Sequence, residues 1–593
     1  MKLPVAVDFE THPIVGNPVM FPPKPVGVAI WEGDKEPTYT DNYSYLAEIW
    51  HSGAPMVFHN APFDVRVAEE HLGLPFPEWD RIHDTTYLVF LKNPHALSLG
   101  LKSSAETYLD LPPEEQDDLK EWILKNVPGA TQKNFGAYIY KAPFELVARY
   151  AKGDVLRTRL LFEKLWPAVP VAPYDRERRL MPILVAATRK GVRVNRAALN
   201  AAYDRSKQAQ QRCEQLIRAN LRAPTLNPHS GPELAAALDK AGKMDKWFLT
   251  PTGRKSTARE NLIAGVNDPE LLKLLVYTGA MQTAVGTFVE PWLEKSAADG
   301  RLHPNWNQVR QPGERGGGLK GTRTGRLSSD DPNLQNVPNP FGFELPEGLV
   351  QVPEMRTFLL PEEGHVWLKR DFSGQEMRIL AHYEEGSLYE AYRANPNLDP
   401  HEMVRQLIHT KIGKEFLRRF IKETGFGMIY GMGALGLAKK IGIPVGEGRE
   451  LQDAYKLALP GVGQMQAATR QRGRNGQPIT TWGGREYYVE EPKIIAGNYR
   501  SFEYKLLNYL IQGSAADQTK QCIIHWDARR GSSAVFLATV HDEISISAEI
   551  GGEWEAMECL RECMDQDLFD VPMRSDSFKG PNWGQLEEYL HEH

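Results

Sequence analysis

Cysteine is scarce: Cys213, Cys522, Cys559 and Cys563 are the only four in 593 residues. That excludes a disulfide framework and fits a reducing compartment. Cys559 and Cys563 are i,i+4 on an expected helix, but no further Cys or His stands at ligand spacing, so burial is the reading preferred over a zinc site. Long apolar runs are also missing, with nothing near about 18 consecutive apolar residues, so no membrane span is expected. An excess of positive charge is missing too. The net charge is −6, with 25% charged and 41% hydrophobic residues. A globally basic nucleic-acid binder is thereby excluded, although local basic stripes and cation-binding carboxylates are not. Met1 leads directly into Val5–Val7 and Asp8-Phe-Glu10, leaving no room for a targeting peptide before the first expected strand.

The length exceeds one hydrophobic core and suggests three to five domains at about 100–200 residues each. Residues 1–170 alternate short apolar runs (Val5–Val7, Val26–Ile30, Met56–His59) with helical stretches, an α/β pattern. Pro167–Pro173 reads as a linker. Beyond it, Ala198–Asn220 and Pro232–Ala241 have amphipathic helical spacing. Residues 302–328 form a Gly/Arg-rich stretch in which Arg310, Arg315, Lys320, Arg323 and Arg326 oppose only Glu314. Such a segment can follow a phosphate backbone, or be a plain exposed loop. Val366–Lys369 reads as a strand running into Asp371, residues 385–504 as mostly helical, and Leu537–Ser547 as two strands around a His541-Asp542-Glu543 turn.

Asp8 and Glu10 are two apart on a strand and so face one side. Adjacent carboxylates repel unless protonated or bound to a cation; a divalent metal satisfies them, as would plain solvent on an edge strand. Asn60-Ala-Pro-Phe63-Asp64 places another carboxylate at a strand-to-helix junction, and Tyr150 and Asp154 share a helix face. In order and separation these resemble the three motifs of the DnaQ-like 3′→5′ exonucleases, with one residue fewer between Asn60 and Phe63. The resemblance implies two-metal hydrolysis of a single-stranded DNA 3′ end. Asp8, Glu10, Asp64 and Asp154 would bind metal, Tyr150 would orient the attacking water, and Asn60 would hold the strand end.

Arg418, Lys422, Phe426 and Tyr430 are spaced by four, drifting about 40° per step on a helix and forming one stripe. Two cations suit a triphosphate and an aromatic beyond them suits a sugar and base; snorkelling cations beside a core aromatic give the same pattern. Gly425 and Gly427 inside that helix suggest close approach by another group.

Asp371-Phe372-Ser-Gly374-Gln375-Glu376 resembles motif A of the family A DNA polymerases, Arg418 to Gly431 resembles motif B, and Val540-His541-Asp542-Glu543 resembles motif C. Thr324-Gly-Arg326, Asp331 to Pro338, Asn508-x-x-x-Gln512-Gly513 and Pro581-Asn-Trp-Gly match further family segments. Gly374 and Gln375 stand where the family usually has Gln and Ile.

The implied fold is α/β and α+β multidomain: an RNase H-like exonuclease domain (1–172), then a right hand. Its palm comprises 173–192, 302–384 and 505–593, its thumb 193–301 and its fingers 385–504. The implied activity is DNA-templated synthesis from dNTPs with proofreading, on primer-template DNA, with two Mg²⁺ per active site (or Mn²⁺). By the resemblance, Asp371, Phe372 and Asp542 hold metal, and Lys422 and Arg418 contact phosphates. Glu376, Phe426, Tyr430, Gln375 and His541 line the nucleotide, with Glu376 excluding a ribose 2′-hydroxyl. Arg326, Asn508, Gln512, Arg323 and Gln335 contact DNA. An exonuclease or replication factor with an inactive polymerase domain is the alternative. The absence of a 5′-nuclease domain before Asp8 suggests a bacteriophage enzyme working in the host cytoplasm.

Overall fold

The structure, a computed structural model, describes residues 3–14, 22–112, 114–310, 321–340, 342–495 and 497–589. Residues 311–320 of the Gly/Arg-rich stretch, with Arg315 and Lys320, lie outside them. Among the described residues no helix is long and apolar enough to cross a membrane.

The amino-terminal third is built on a mixed five-stranded sheet in the order β3-β2-β1-β4-β5. Its strands are β1 (Val5–Thr11), β2 (Pro25–Trp31), β3 (Thr38–Thr40), β4 (Met56–Phe58) and β5 (Ile82–Asp84). Val5, Ala6, Val7 and Phe9 of β1 are all buried, so the sheet is covered on both faces, and the parallel β1–β4 pair sits at its centre. Helices α1 (Ser44–His51), α2 (Ala61–Leu72), α3 (Thr85–Lys92), α4 (Leu101–Leu109), α5 (Glu114–Asn126) and α6 (Phe144–Leu165) pack around it. This is the α/β layering that the alternating apolar runs predict.

The expected linker at Pro167–Pro173 is corrected by helix α7 (Val171–Lys190), which begins inside it. Pro170 caps that helix and Pro173 lies in its first turn, where a missing N–H leaves no hydrogen bond unmade. One face of α7 buries Tyr174, Met181 and Val185 in the amino-terminal core. The other buries Leu180, Leu184 and Ala187 in the carboxy-terminal core.

Next comes a long helix, Arg196–Asn220, capped by the Asn195 side chain, which accepts from the Ala198 amide at 3.1 Å. Its apolar face (Ala209, Cys213, Ile217) closes a separate small core with Leu271, Leu275 and Met281.

The carboxy-terminal part centres on an antiparallel sheet. In spatial order its strands are Ala534–Val540, Glu543–Glu549, His365–Phe372, Ser575–Gly580 and Glu587–Glu588. Trp367 from its central strand stacks on Trp583, with centroids 5.7 Å apart and planes 11° from parallel. Residues 387–474 are largely helical, as expected, and are followed by two short hairpins that the sequence did not announce. Cys563 is buried and Cys559 half-buried, and all four thiols are free.

Candidate active sites

The first site lies at the end of β1. Strand alternation puts the carboxylates of Asp8 and Glu10 on one side, and α6 brings Asp154 over them. Oxygens from these three all lie within 4.8 Å of one another. Asp64, in the first turn of α2, accepts from the Phe9 amide at 2.9 Å, which ties it to the same strand. Burial pushes the carboxyls of Asp8, Glu10 and Asp64 upward. Asp8 rises to about 7, driven by burial and then by Asp154. Glu10 is raised by burial, then by Asp8 and Asp154. Asp64 is raised by burial and then by Asp8, against the Phe9 amide. Packed, buried carboxylates of this kind fit a divalent cation, which removes the repulsion that otherwise disfavours their charged form.

Tyr150 is one turn before Asp154 and hydrogen-bonds it. Asn60 adopts a left-handed conformation (φ 75°) at the start of α2 and is exposed beside the site. Its amide donates to Asp84 Oδ1 at 3.1 Å, and the Ala61 amide donates to Oδ2 at 2.9 Å. Asp84 therefore shapes the β4–α2 junction that presents Asp64, a role with no local sequence signal. Lys102, at the start of α4, was also missed. Its ammonium pairs with Asp154 and lies 4.2 Å from the centroid of the Tyr150 ring. A lone cation bordering the apolar Leu101 and Ala105 positions was the only hint.

The second site is assembled by the carboxy-terminal sheet. Asp371 sits opposite Glu543 in the antiparallel register, and the Phe372 amide donates to the Asp542 carbonyl at 3.2 Å. The 170 residues between Asp371 and Asp542 are thus closed by one strand pairing. Burial and then Asp542 raise Asp371 to about 7, against the Lys369 ammonium. Asp542 is raised by burial as well. Lys369 Nζ stands 3.7 Å from Asp371 and 3.4 Å from Glu543. Two partly buried carboxylates with a single lysine nearby also fit a divalent cation. Glu543 itself accepts from Trp583 Nε1 at 3.0 Å and from Ser545 Oγ at 3.1 Å, so its carboxylate is engaged by the fold. His541 holds the turn with φ 59°, and burial lowers its pKa.

Glu376, at the start of the helix Gln375–Glu384, is gripped from two sides, by the Arg326 guanidinium and the Tyr430 hydroxyl. Gln512 also bonds that hydroxyl. Tyr430 stacks on Phe426, with centroids 6.1 Å apart and planes 17° from parallel. Arg418, Lys422 and Phe426 lie on the helix Arg418–Ile429, and Tyr430 caps it. Lys422 is exposed, and exposed Arg418 pairs with Asp399. The close approach expected at the glycines comes from the protein itself. A Cβ on Gly425 would stand 3.1 Å from the Tyr455 hydroxyl, and one on Gly427 would stand 2.8 Å from Met432 Cε. Asn508 lies a turn before Gln512, with its Oδ1 buried and without a hydrogen-bond partner among the described residues.

Three expected contact residues are engaged elsewhere. Gln375, expected at the nucleotide, is 2% exposed. Its amide donates to Ala515 O, Gln518 Oε1 and Thr519 Oγ1 at 3.0–3.3 Å. It occupies an apolar position of the family pattern and brings its own polar partners. The preceding Gly374 takes φ 72°, which glycine adopts without strain. Arg323, expected on DNA, donates to Glu490 at 2.6 Å. Gln335 donates to Leu327 O at 3.2 Å and Thr539 O at 3.1 Å, bridging two backbone segments.

Comparison with known proteins agrees with this geometry. Residues 196–585 match DNA polymerase family A, and residues 1–170 match the 3′-5′ exonuclease family. The chain is 27% identical over 635 positions to a protein described as DNA polymerase DpoZ of Salmonella phage PMBT28, covering 98% of this chain and 96% of that one. It is 29% identical over 480 positions to DNA polymerase I of Pseudomonas aeruginosa, covering 77% of this chain and 49% of that one. A solved structure of the POL domain of Pol1 from M. smegmatis, in complex with DNA primer-template and dNTP, superposes with a TM-score of 0.76 at 24% identity, over 98% of this chain and 95% of that one. With both carboxylate sites folded inside the matched segments, the chain belongs to DNA polymerase family A and carries a 3′-5′ exonuclease domain at its amino-terminal end.

Proposed function

We propose that the chain extends a primer 3′ end on a DNA template from dNTPs and removes misincorporated ends by 3′→5′ hydrolysis, as a replicative enzyme of bacteriophage type working in the host cytoplasm. The observation that carries this reading is the presence in one chain of two separate carboxylate clusters, each raised in pKa by burial and mutual repulsion. Both activities are metal-dependent, and Mg²⁺ is the ion proposed for each site. Asp371 and Asp542, with the Phe372 carbonyl beside them, would hold it in the palm. Asp8, Glu10, Asp64 and Asp154 would hold it in the exonuclease domain. When bound, such ions lower the pKa of an attacking hydroxyl or water and neutralise phosphate charge.

The protein's own groups do the rest. In the fingers, Lys422 and Arg418 present two cations along one helix face to a triphosphate, and Arg418 exchanges Asp399 for it. Phe426 and Tyr430 form the aromatic continuation of that face toward sugar and base. Glu376, fixed by Arg326 and Tyr430, walls off the sugar C2′. His541, Gln512 and Asn508 face the primer end. In the exonuclease domain Tyr150 holds the attacking water beside Asp154, and exposed Asn60 contacts the strand end.

The test is separability. Asp8→Ala with Glu10→Ala should abolish degradation of single-stranded 3′ ends and leave primer extension intact, and Asp542→Ala should do the reverse. Persistent degradation by the double variant would remove the exonuclease assignment. Extension by Asp542→Ala would remove the polymerase one.

A further inference from the structure

Lys102 stands inside the exonuclease cluster without a part in the function proposed above. The first turn of α4 places it, and buried Leu101 and Ala105 anchor that helix against the core. Its side chain is 18% exposed and that of Asp154 7%, so their pair is no solvent-screened surface contact. The ammonium also covers the Tyr150 ring at 4.2 Å. Its charge acts on Asp8 and Glu10, opposing the repulsion among the acids. His59, near enough to feel the Lys102 charge, is lowered to about 4 by burial and offers no second counter-charge.

A partly buried ammonium is held only by groups that compensate its desolvation, here an array of carboxylates. Those oxygens are the ones that a divalent cation would take. We propose that Lys102 is a resident counter-charge that competes with the divalent cation for Asp154 and thereby sets the metal affinity of the exonuclease site. The ammonium holds the cluster together while no cation is bound. It withdraws from Asp154 as the cation enters, since like charges this close repel. Lys102 is in this sense a positioning residue, acting through Asp154 and Tyr150.

The inference rests on the exonuclease reading, and the experiment separates the two. Mn²⁺ is titrated calorimetrically into the full chain carrying Asp371→Asn and Asp542→Asn, so that the palm carboxylates no longer compete for it. Lys102→Met in this background should bind Mn²⁺ about tenfold more tightly than its parent. Lys102→Arg, which keeps the charge, should stay within about threefold of the parent; both magnitudes follow from one unit charge near the site. Thermal melting supplies the second readout. Lys102→Met should melt lower than the parent without metal and match it at saturating Mn²⁺. Unchanged or weaker Mn²⁺ binding would overturn the proposal. So would a melting loss of equal size with and without Mn²⁺, which would mark a purely structural lysine. If Asp8→Asn with Glu10→Gln fails to remove Mn²⁺ binding, the exonuclease-site reading itself fails, independently of Lys102.

Discussion

Glu376, proposed above to wall off the sugar C2′, is fixed by the Arg326 guanidinium on one side and the Tyr430 hydroxyl on the other. A carboxylate held this way cannot swing aside for a 2′-hydroxyl, and displacing it would strip hydrogen bonds from a partly desolvated charge. Glu376→Ala should therefore raise ribonucleotide incorporation relative to deoxynucleotide by about tenfold to a hundredfold, the scale of one lost polar interaction. The check is kcat/KM for rCTP and dCTP; equal losses for both sugars would mean that Glu376 serves only to hold Arg326 and Tyr430. Phe426 stacks on the same Tyr430 and would, on the proposed reading, continue this wall. A dNTP can bond its 3′-hydroxyl to its own phosphate, whereas a dideoxynucleotide leaves a polar void beside an apolar ring. At about 1–3 kcal/mol for an unpaired polar group, the bias against chain terminators should be tenfold to a hundredfold. Phe426→Tyr should erase most of it while dTTP turnover stays nearly unchanged, measured as the ddTTP to dTTP ratio in an exonuclease-deficient background. An unaltered ratio would place Phe426 in packing alone.

At the scale of elements, Glu490 joins segments far apart in the chain. It follows the first of the two hairpins and accepts from Arg323 at 2.6 Å, Lys505 at 2.8 Å and Tyr509 at 2.6 Å. Tyr509 in turn packs on His95 of the exonuclease domain, with ring centroids 5.2 Å apart. Burial works to raise the Glu490 carboxyl, but Lys505, Tyr509 and Arg323 outweigh it and hold it at about 2. The folded value lies below the ordinary one of about 4.3, so the stabilisation is complete above that pH and is lost as the pH falls toward 2. The stability gap between the parent and Glu490→Gln should be full at pH 6 and smaller at pH 3, read from denaturant midpoints. A gap independent of pH over that range would rule out the charged carboxylate as its source.

At the scale of the whole molecule, α7 makes the two halves one structure. Tyr174 Oη accepts from the Asp84 amide at 3.0 Å, and Arg178 donates to Ile82 O and Asp80 O at 2.7 Å each, so α7 covers strand β5. Further on, Tyr87 donates to Gln308, which donates to Glu177, and Glu177 is held by Arg485 and Lys520 in a buried ionic cluster. A fragment ending at residue 170 would lose Tyr174, Met181 and Val185 from its core. At about 1.5–3 kcal/mol for each side chain, that approaches a domain's total stability of about 5–15 kcal/mol. Fragment 1–170 should melt far below fragment 1–190 in circular dichroism. Equal melting would deny α7 this structural role.

Local chemistry in the sequence was enough to read the strands bearing Asp8 and Asp371, the amphipathic helix over Ala198–Asn220, the stripe from Arg418 to Tyr430 and the turn at His541. Each depends on side-chain periodicity or turn preference within a few residues. The order of the motifs was enough to suggest the family. Other features lay beyond any local signal. That Asp371 meets Asp542 is decided by strand register across 170 intervening residues. That Gln375 faces the core while Glu376 faces the site is decided by which face of their helix packs on Leu506–Arg529. Pro167–Pro173 has linker composition, yet it starts a helix because two separate cores each need one face of α7 covered. Arg323 and Lys102 are ordinary surface cations by composition. Only the fold brings Glu490 to the one and the exonuclease carboxylates to the other, because charge pairing depends on distance in space and not on separation along the chain.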